Sequence, residues 1–255
     1  MPFQHIQFEI KEGVAELTLD RPPLNVINIA MMREINSALE NLNAQRGLKL
    51  LVIRASGKSF SAGVDVGEHT KDKVDEMIKT FHRVFLNMDQ LEIPTLAVVQ
   101  GAALGGGCEL AGFCDLVLAA EEAKFGQSEI KVGAFPPVAI SYFSNFMSPK
   151  KVLELALTGD VITAREALEV GLATKVCPAN ELEAEAAKLV EKIRGQSAVV
   201  LRLAKKSWKA CNPPNLVETL GKAEQIYLKE LMSTRDAEEG LAAFLEKRKP
   251  RWENR

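Results

Sequence analysis

Thr95 to Glu129 reads TLAVVQGAALGGGCELAGFCDLVLAAEEAKFGQSE, and its order decides the fold. The run Thr95 to Val99 is short, apolar and β-branched, as expected of a strand buried on both faces. A turn follows at Gly101. The glycines 105, 106 and 107 then lead into CELAGFC, which gives strand, Gly-rich turn and helix start. Glycine lets the backbone take positive φ and approach another group closely, and a helix N-terminus presents unpaired N–H groups with partial positive charge. Negative charge can develop at such a mouth. Glu109 stands in the first turn of that helix. A second strand, Asp115 to Ala119, carries the chain through Lys124-Phe125 to Glu129, so two acids flank one candidate anion site.

Each feature alone has a plainer explanation. A Gly-rich turn before a helix is a common packing device or phosphate cradle. The dinucleotide fingerprint G-x-G-x-x-G fails because Leu110 takes the last glycine's place, and no Gly-Lys-Ser/Thr follows to make a P-loop. Glu109 alone could simply complement the helix dipole. The combination carries the weight.

Either side of this stretch the chain alternates strand and helix. His5–Ile10 and Val14–Leu19 alternate apolar and polar residues about Lys11-Glu12-Gly13, the pattern of a β-hairpin. DRPPLNVIN follows, with Asn28 placed to cap a helix over Ile29–Asn43. Leu50–Ile53 is the next buried strand, and GKSFSAGVDVGE, centred on Gly63, leaves its end as the later Gly-rich turn leaves the central strand. Ligands in α/β folds gather at the carboxyl ends of strands, so the two loops can share one site. Val74–Leu91 forms an amphipathic helix, and the strand–helix unit recurs at roughly 45 residues. From Ser148 the chain reads as almost wholly helical, over Lys150–Leu157, Thr163–Val170, Glu181–Ile193, Ser197–Ala210, Val217–Met232 and Arg235–Glu246. The segment between Cys211 and Pro214 breaks two of these helices. Their apolar stripes favour an oligomer.

Composition narrows the function. The 255 residues are 47% apolar, ample for a full core, and the net charge of −2 offers no electrostatic case for nucleic acid or an anionic membrane. No apolar run is long enough to span a membrane and no signal-peptide pattern opens the chain, so a soluble, cytoplasmic protein is expected. Cys108, Cys114, Cys177 and Cys211 show no C-x-x-C pair, and His5, His69 and His82 show no metal-ligand spacing, so metal catalysis is not expected.

LDRPPLNVIN, FSAGVDV, VVQGAALGGGCELAGFCDLVLAAEEAKFGQSEI, LTGDVITAREALEVGLATKV and AFLEKRKP together resemble the enoyl-CoA hydratase/isomerase (crotonase) superfamily over nearly the whole chain. The resemblance implies an α/β spiral of ββα units over residues 1–195 and a C-terminal helical oligomerisation region over 196–255, assembled as a homotrimer or homohexamer. It implies an acyl-CoA thioester substrate, with coenzyme A part of the substrate and no separate cofactor. Family positions place the oxyanion hole at the backbone N–H groups of Val64 and Gly106. They place the water-activating base at Glu109 and the donor of the α-proton at Glu129. Two neighbouring acids repel, so one should hold its proton at neutral pH. Other substrate-binding positions are Leu24, Val26, Ala62, Gly63, Gly105 and Pro137, with Lys247 and Lys249 of the last helix as candidates for the CoA phosphates.

One departure bears on the substrate. Where linear-chain hydratases of this family carry a Gly-rich stretch, this chain reads GAFPPVAIS, and Pro137 lacks the N–H that would help to hold the water. The bulk of Pro137 and Val138 is expected to reshape the acyl pocket. FPPVA and RPPLNVINIAMM look like the cyclic-dienoyl-CoA hydratases of anaerobic benzoyl-CoA degradation, which act on cyclohexa-1,5-diene-1-carboxyl-CoA. The alternatives are a linear enoyl-CoA hydratase or isomerase of β-oxidation, or a noncatalytic assembly or RNA-binding relative, which the acidic pI and the intact glutamate pair disfavour.

Overall fold

A computed structural model of the chain describes residues 3–40, 42–212 and 215–255. Its strands are β1 (Ile6–Lys11), β2 (Val14–Leu19), β3 (Leu50–Ala55), β4 (Thr95–Val99), β5 (Ala102–Leu104), β6 (Leu116–Ala120), β7 (Lys124–Gly126), β8 (Val161–Thr163) and β9 (Lys175–Cys177). Its α-helices are α1 (Ile29–Leu39), α2 (Val74–Gln90), α3 (Gly106–Gly112), α4 (Pro137–Tyr142), α5 (Pro149–Thr158), α6 (Ala164–Glu169), α7 (Leu182–Arg194), α8 (Ala198–Cys211), α9 (Leu216–Gln225) and α10 (Arg235–Leu245). Among the described residues no helix is long and apolar enough to cross a membrane.

The larger sheet runs β1-β2-β3-β4-β6-β9 and is parallel except for the β1–β2 hairpin. Its central strands β3, β4 and β6 are apolar over residues 50–53, 96–99 and 116–120 because both faces are covered. Leu50, Val52, Leu96, Val98 and Leu118 pack against Leu182 and Ala186 of α7. Leu51, Ile53, Ala97 and Val99 face the opposite way, into the main core with α1 and α2. At the end of β4 and again of β6 the chain turns into a second sheet, ordered β5-β7-β8. The bridge Ser61↔Ala103 brings the loop after β3 to the same layer. Three successive strands of the large sheet thus each hand the chain to one place, the expected spiral of ββα units.

The loop 21–27 is laced to the loop after β3 by a fully buried asparagine. Asn25 accepts from Arg21 N at 2.9 Å and donates Nδ2 to Ser56 O and Ser59 O, both at 2.8 Å. Ser61 Oγ donates to Asn25 O at 2.7 Å and accepts from Gly63 N at 3.1 Å. Asn25 has φ 48°, a conformation that asparagine tolerates better than most residues.

Several boundaries differ from the sequence expectation. The expected helix to Asn43 ends at Leu39, with a 3-10 turn over Leu42–Ala44 and Asn41 outside the described residues; Asn28 caps it as expected, accepting from Met31 N at 2.9 Å. The region after Ser148 is not wholly helical, since β8 and β9 interrupt it and join the two sheets. The single helix expected over Val217–Met232 is α9, then a π-helical turn at Ile226–Glu230, then a 3-10 turn. Of the break expected between Cys211 and Pro214, Pro213 and Pro214 lie outside the described residues.

Asn25→Ala would leave the buried Ser59 carbonyl and the half-buried Ser56 carbonyl and Arg21 amide without their side-chain partner. At about 1–3 kcal/mol for each buried group left unsatisfied, it should lower the thermal midpoint by several degrees. An unchanged midpoint would show that this lacing does not hold the loop.

Candidate active site

The two loops that leave β3 and β4 meet backbone to backbone. Gly63 has φ 103°, and a side chain there would come within 3.0 Å of Leu104 O and 3.5 Å of Gly106 N. A side chain on Gly106 would strike Val64 Cγ2 at 2.7 Å and Phe81 Cζ at 2.8 Å. The contact therefore demands glycine. In the bridge between Ile27 and Val64, Ile27 N donates to Gly63 O and Asp65 N to Ile27 O, which leaves the intervening Val64 N–H pointing away. Gly106 opens α3, so its amide has no intrahelical acceptor. Neither amide donates a hydrogen bond among the described residues.

Both line a cavity of about 130 Å³ together with Ala62, Gly63, Gly105, Glu109, Glu129 and Pro137. The structure thus brings eight of the sequence-predicted site residues to one place. Leu24 and Val26 do not line it, although Leu24 O accepts from Ala62 N at 2.9 Å and so edges the same loop. Lys247 and Lys249 follow α10 and are exposed outside the cavity. Val138 departs from expectation: its side chain is buried in the core, and Pro137 alone of the pair reaches the cavity.

The two acids occupy unequal environments. Glu109 is buried, and its Oε1 accepts from Val138 N and Ala139 N, both at 2.9 Å. These are orphan amides at the start of α4, where Pro137, as first helical residue, has no N–H to spare. Burial pushes Glu109 up to about 7, with the two amides pulling the other way. Glu129 has no such support. Its Oε2 is sealed from solvent without a hydrogen-bond partner among the described residues, and its Oε1 lies against Gly105. Burial first, and then the charge of Glu109, hold Glu129 well above the ordinary carboxylate range. Glu109, with two amides on one oxygen, is the better supported of the two as an anion, and Glu129 is the one pressed towards its protonated form.

Sequence reasoning missed much of the wall. Phe81 of α2, His69, Phe135, Tyr227 and Phe244 of α10 also line the cavity. His69 is buried, its Nδ1 lies 3.1 Å from Asp65 O, and burial lowers its pKa. No local pattern marks Tyr227 or Phe244, because only the fold brings α9 back over α4 and α10 back over the turns at Val66–Glu68 and Glu129–Val132. A larger cavity of about 560 Å³ lies beneath α8, between Asp115, Tyr142, Lys205 and Trp208, but it contains neither acid. Size does not choose the site here; chemistry does.

Residues 9–255 match the family described as Enoyl-CoA hydratase/isomerase. The chain is 37% identical over 245 residues to a cyclohexa-1,5-dienecarbonyl-CoA hydratase of Thauera aromatica, covering 95% of this chain and 94% of that one. It is 34% identical over 239 residues to a mitochondrial enoyl-CoA hydratase of Pongo abelii, covering 92% and 82%. The crystal structure of an enoyl-CoA hydratase from Mycobacterium avium subsp. paratuberculosis K-10 superposes with TM-score 0.90 at 29% identity, over 99% of this chain and all of that one.

The raised Glu129 has a consequence for stability. The folded state holds a proton that the unfolded carboxyl releases near its ordinary pKa, so stability falls as pH rises above that value, by up to about 1.4 kcal/mol per pH unit. Glu129→Gln has no such proton to hold. Its thermal midpoint should exceed the wild type's at pH 8, at about 2–4 °C per kcal/mol, and the gap should narrow towards pH 5. A gap independent of pH would contradict the raised pKa.

Proposed function

We propose, from the premise that the chain belongs to the enoyl-CoA hydratase/isomerase family and is an enzyme of the hydro-lyase type, that its substrate is a conjugated cyclic dienoyl-CoA thioester of the cyclohexa-1,5-diene-1-carboxyl class. The observation that carries water addition is the unequal acid pair in one cavity beside two unclaimed backbone amides. Glu109, with Oε1 held by α4, removes a proton from water through its remaining oxygen as the water oxygen bonds to the β-carbon. The electron pair of the double bond moves towards the thioester, and the enolate oxygen is held by Val64 N–H and Gly106 N–H. Loss of one such donor typically costs about 2.7–4 kcal/mol. Glu129, the protonated partner, delivers its proton to the α-carbon. The proton gained by Glu109 then passes back to Glu129, and the site is restored.

Support for a ring comes from the walls. Phe81, Phe135, Tyr227 and Phe244 surround the acids, and Pro137 narrows the pocket beside them. Flat aromatic faces suit a planar ring better than a flexible chain. The likeness to the Thauera aromatica hydratase points the same way. A linear enoyl-CoA substrate is the second reading, favoured by relatives that bear the name enoyl-CoA hydratase. For the assembled enzyme we propose a homotrimer or homohexamer, since Val199, Val200, Leu203 and Trp208 leave α8 with an exposed apolar flank.

Steady-state kinetics with both substrates separate the readings. Under the ring reading kcat/KM on the cyclic dienoyl-CoA exceeds that on crotonyl-CoA at least roughly 100-fold, about 2.7 kcal/mol of differential transition-state binding. Comparable rates would establish the linear reading, and no turnover of either would end the hydratase proposal.

A further inference from the structure

Tyr227 is a buried polar residue that the mechanism so far does not use. It is 2% exposed and sits in the π-helical turn Ile226–Glu230 that follows α9. Such turns are rare and recur at functional sites, because the extra residue re-aims a side chain. Here α9 packs on α4, the helix that holds Glu109. The ring of Tyr227 meets Phe135 edge to face at 5.1 Å, and both line the cavity of the two acids.

Among the described residues the hydroxyl forms no hydrogen bond, and the residue faces the cavity that holds Glu109 and Glu129. A buried tyrosine hydroxyl ordinarily finds a partner. The cavity it lines is the one that holds the two carboxyls. Burial and those two charges hold it well above its ordinary pKa, so it stays a neutral O–H donor.

The site has need of such a donor. Pro137 has no N–H, and the next two amides of α4, Val138 and Ala139, are both committed to Glu109 Oε1. Helix α4 therefore has no amide to offer a water in the cavity from its first three positions. His69 also lines the cavity, but its Nδ1 lies 3.1 Å from Asp65 O, on the loop after β3. Of the two, Tyr227 is the one packed, through Phe135, against the segment that joins Glu129 to α4.

We propose that the Tyr227 hydroxyl is a specificity-determining group that donates a hydrogen bond to the oxygen destined to become the β-hydroxyl of the product. It fixes that oxygen over the β-carbon while Glu109 takes the proton, in the place of the amide that Pro137 lacks. This assignment rests on the hydratase reading above.

The test separates the hydroxyl from the packing of the ring. Tyr227→Phe keeps the ring and removes one oxygen. Binding of 3-hydroxybutyryl-CoA and of butyryl-CoA, which lacks the hydroxyl, is measured by calorimetry for wild type and variant. The variant should bind 3-hydroxybutyryl-CoA about 3–10-fold more weakly, the loss of one neutral hydrogen bond, with butyryl-CoA affinity unchanged. Hydration should show the loss in kcat, with KM little changed. Equal weakening for both esters would mark Tyr227 as packing only, and unchanged affinity for both would remove it from the site. Either result overturns the assignment. A hydratase proposal that fails would show separately, as absence of turnover by the wild type.

Discussion

Two amides at the head of a six-residue helix, Val138 N–H and Ala139 N–H, give their hydrogen bonds to a single carboxylate oxygen, and the rest of the site depends on that gift. Without it Glu109 and Glu129 would be two buried acids of one kind, each raised by burial and each resisting the other's charge. With it, one acid carries the support an anion needs, and the other has a sealed oxygen with no donor. In the proposed mechanism acid and base are thereby distinguished by backbone geometry rather than by residue type. Pro137 belongs to the same arrangement, because proline at the first helical position starts α4 where the missing N–H is least needed.

That helix can act only because the Gly-rich turn and the loop after β3 are in contact. The approach leaves room for no side chain on Gly106, which faces Val64 and Phe81. It also sets the Val64 and Gly106 amides beside one cavity. Asn25, buried and bonded to three backbone groups, holds the first of the two loops in place from behind. In the proposed mechanism, main-chain groups, which a substitution cannot easily remove, therefore provide the anion-stabilising part of the site, and two side chains move the protons.

Much of this was legible in the chain. The strands β3, β4 and β6 carry apolar runs of four or five residues, 50–53, 96–99 and 116–120, because both sheet faces are buried, and that signal is strong in any sequence. Glu109 stands out in the first turn after the Gly-rich turn, whereas the pairing of Glu109 with Glu129 as acid and base is what the family resemblance implies. Helix α4 could not be read from the chain, since it begins within Pro136-Pro137 and is too short to show an apolar period. The strands β5, β8 and β9 have three residues each, below the length at which alternation can be recognised. Tyr227 and Phe244 were invisible for a different reason: their neighbours in space are about 90 to 180 residues away in sequence, and only the return of the C-terminal helices brings them to the acids. The helical reading of Val217–Met232 had the period right but missed the π turn, because one extra residue in a turn leaves the apolar stripe almost unchanged.

The division of labour between the acids is the claim on which the mechanism stands, and the protonated carboxyl can be observed directly. Difference infrared spectroscopy of the protein labelled with carboxyl-13C glutamate, at pH 7, reports whether a buried glutamic acid keeps its proton. The account predicts a protonated-carboxyl stretch in the wild type that disappears in Glu129→Gln and persists in Glu109→Gln. A band that survives in Glu129→Gln and is lost in Glu109→Gln would reverse the two roles and contradict it.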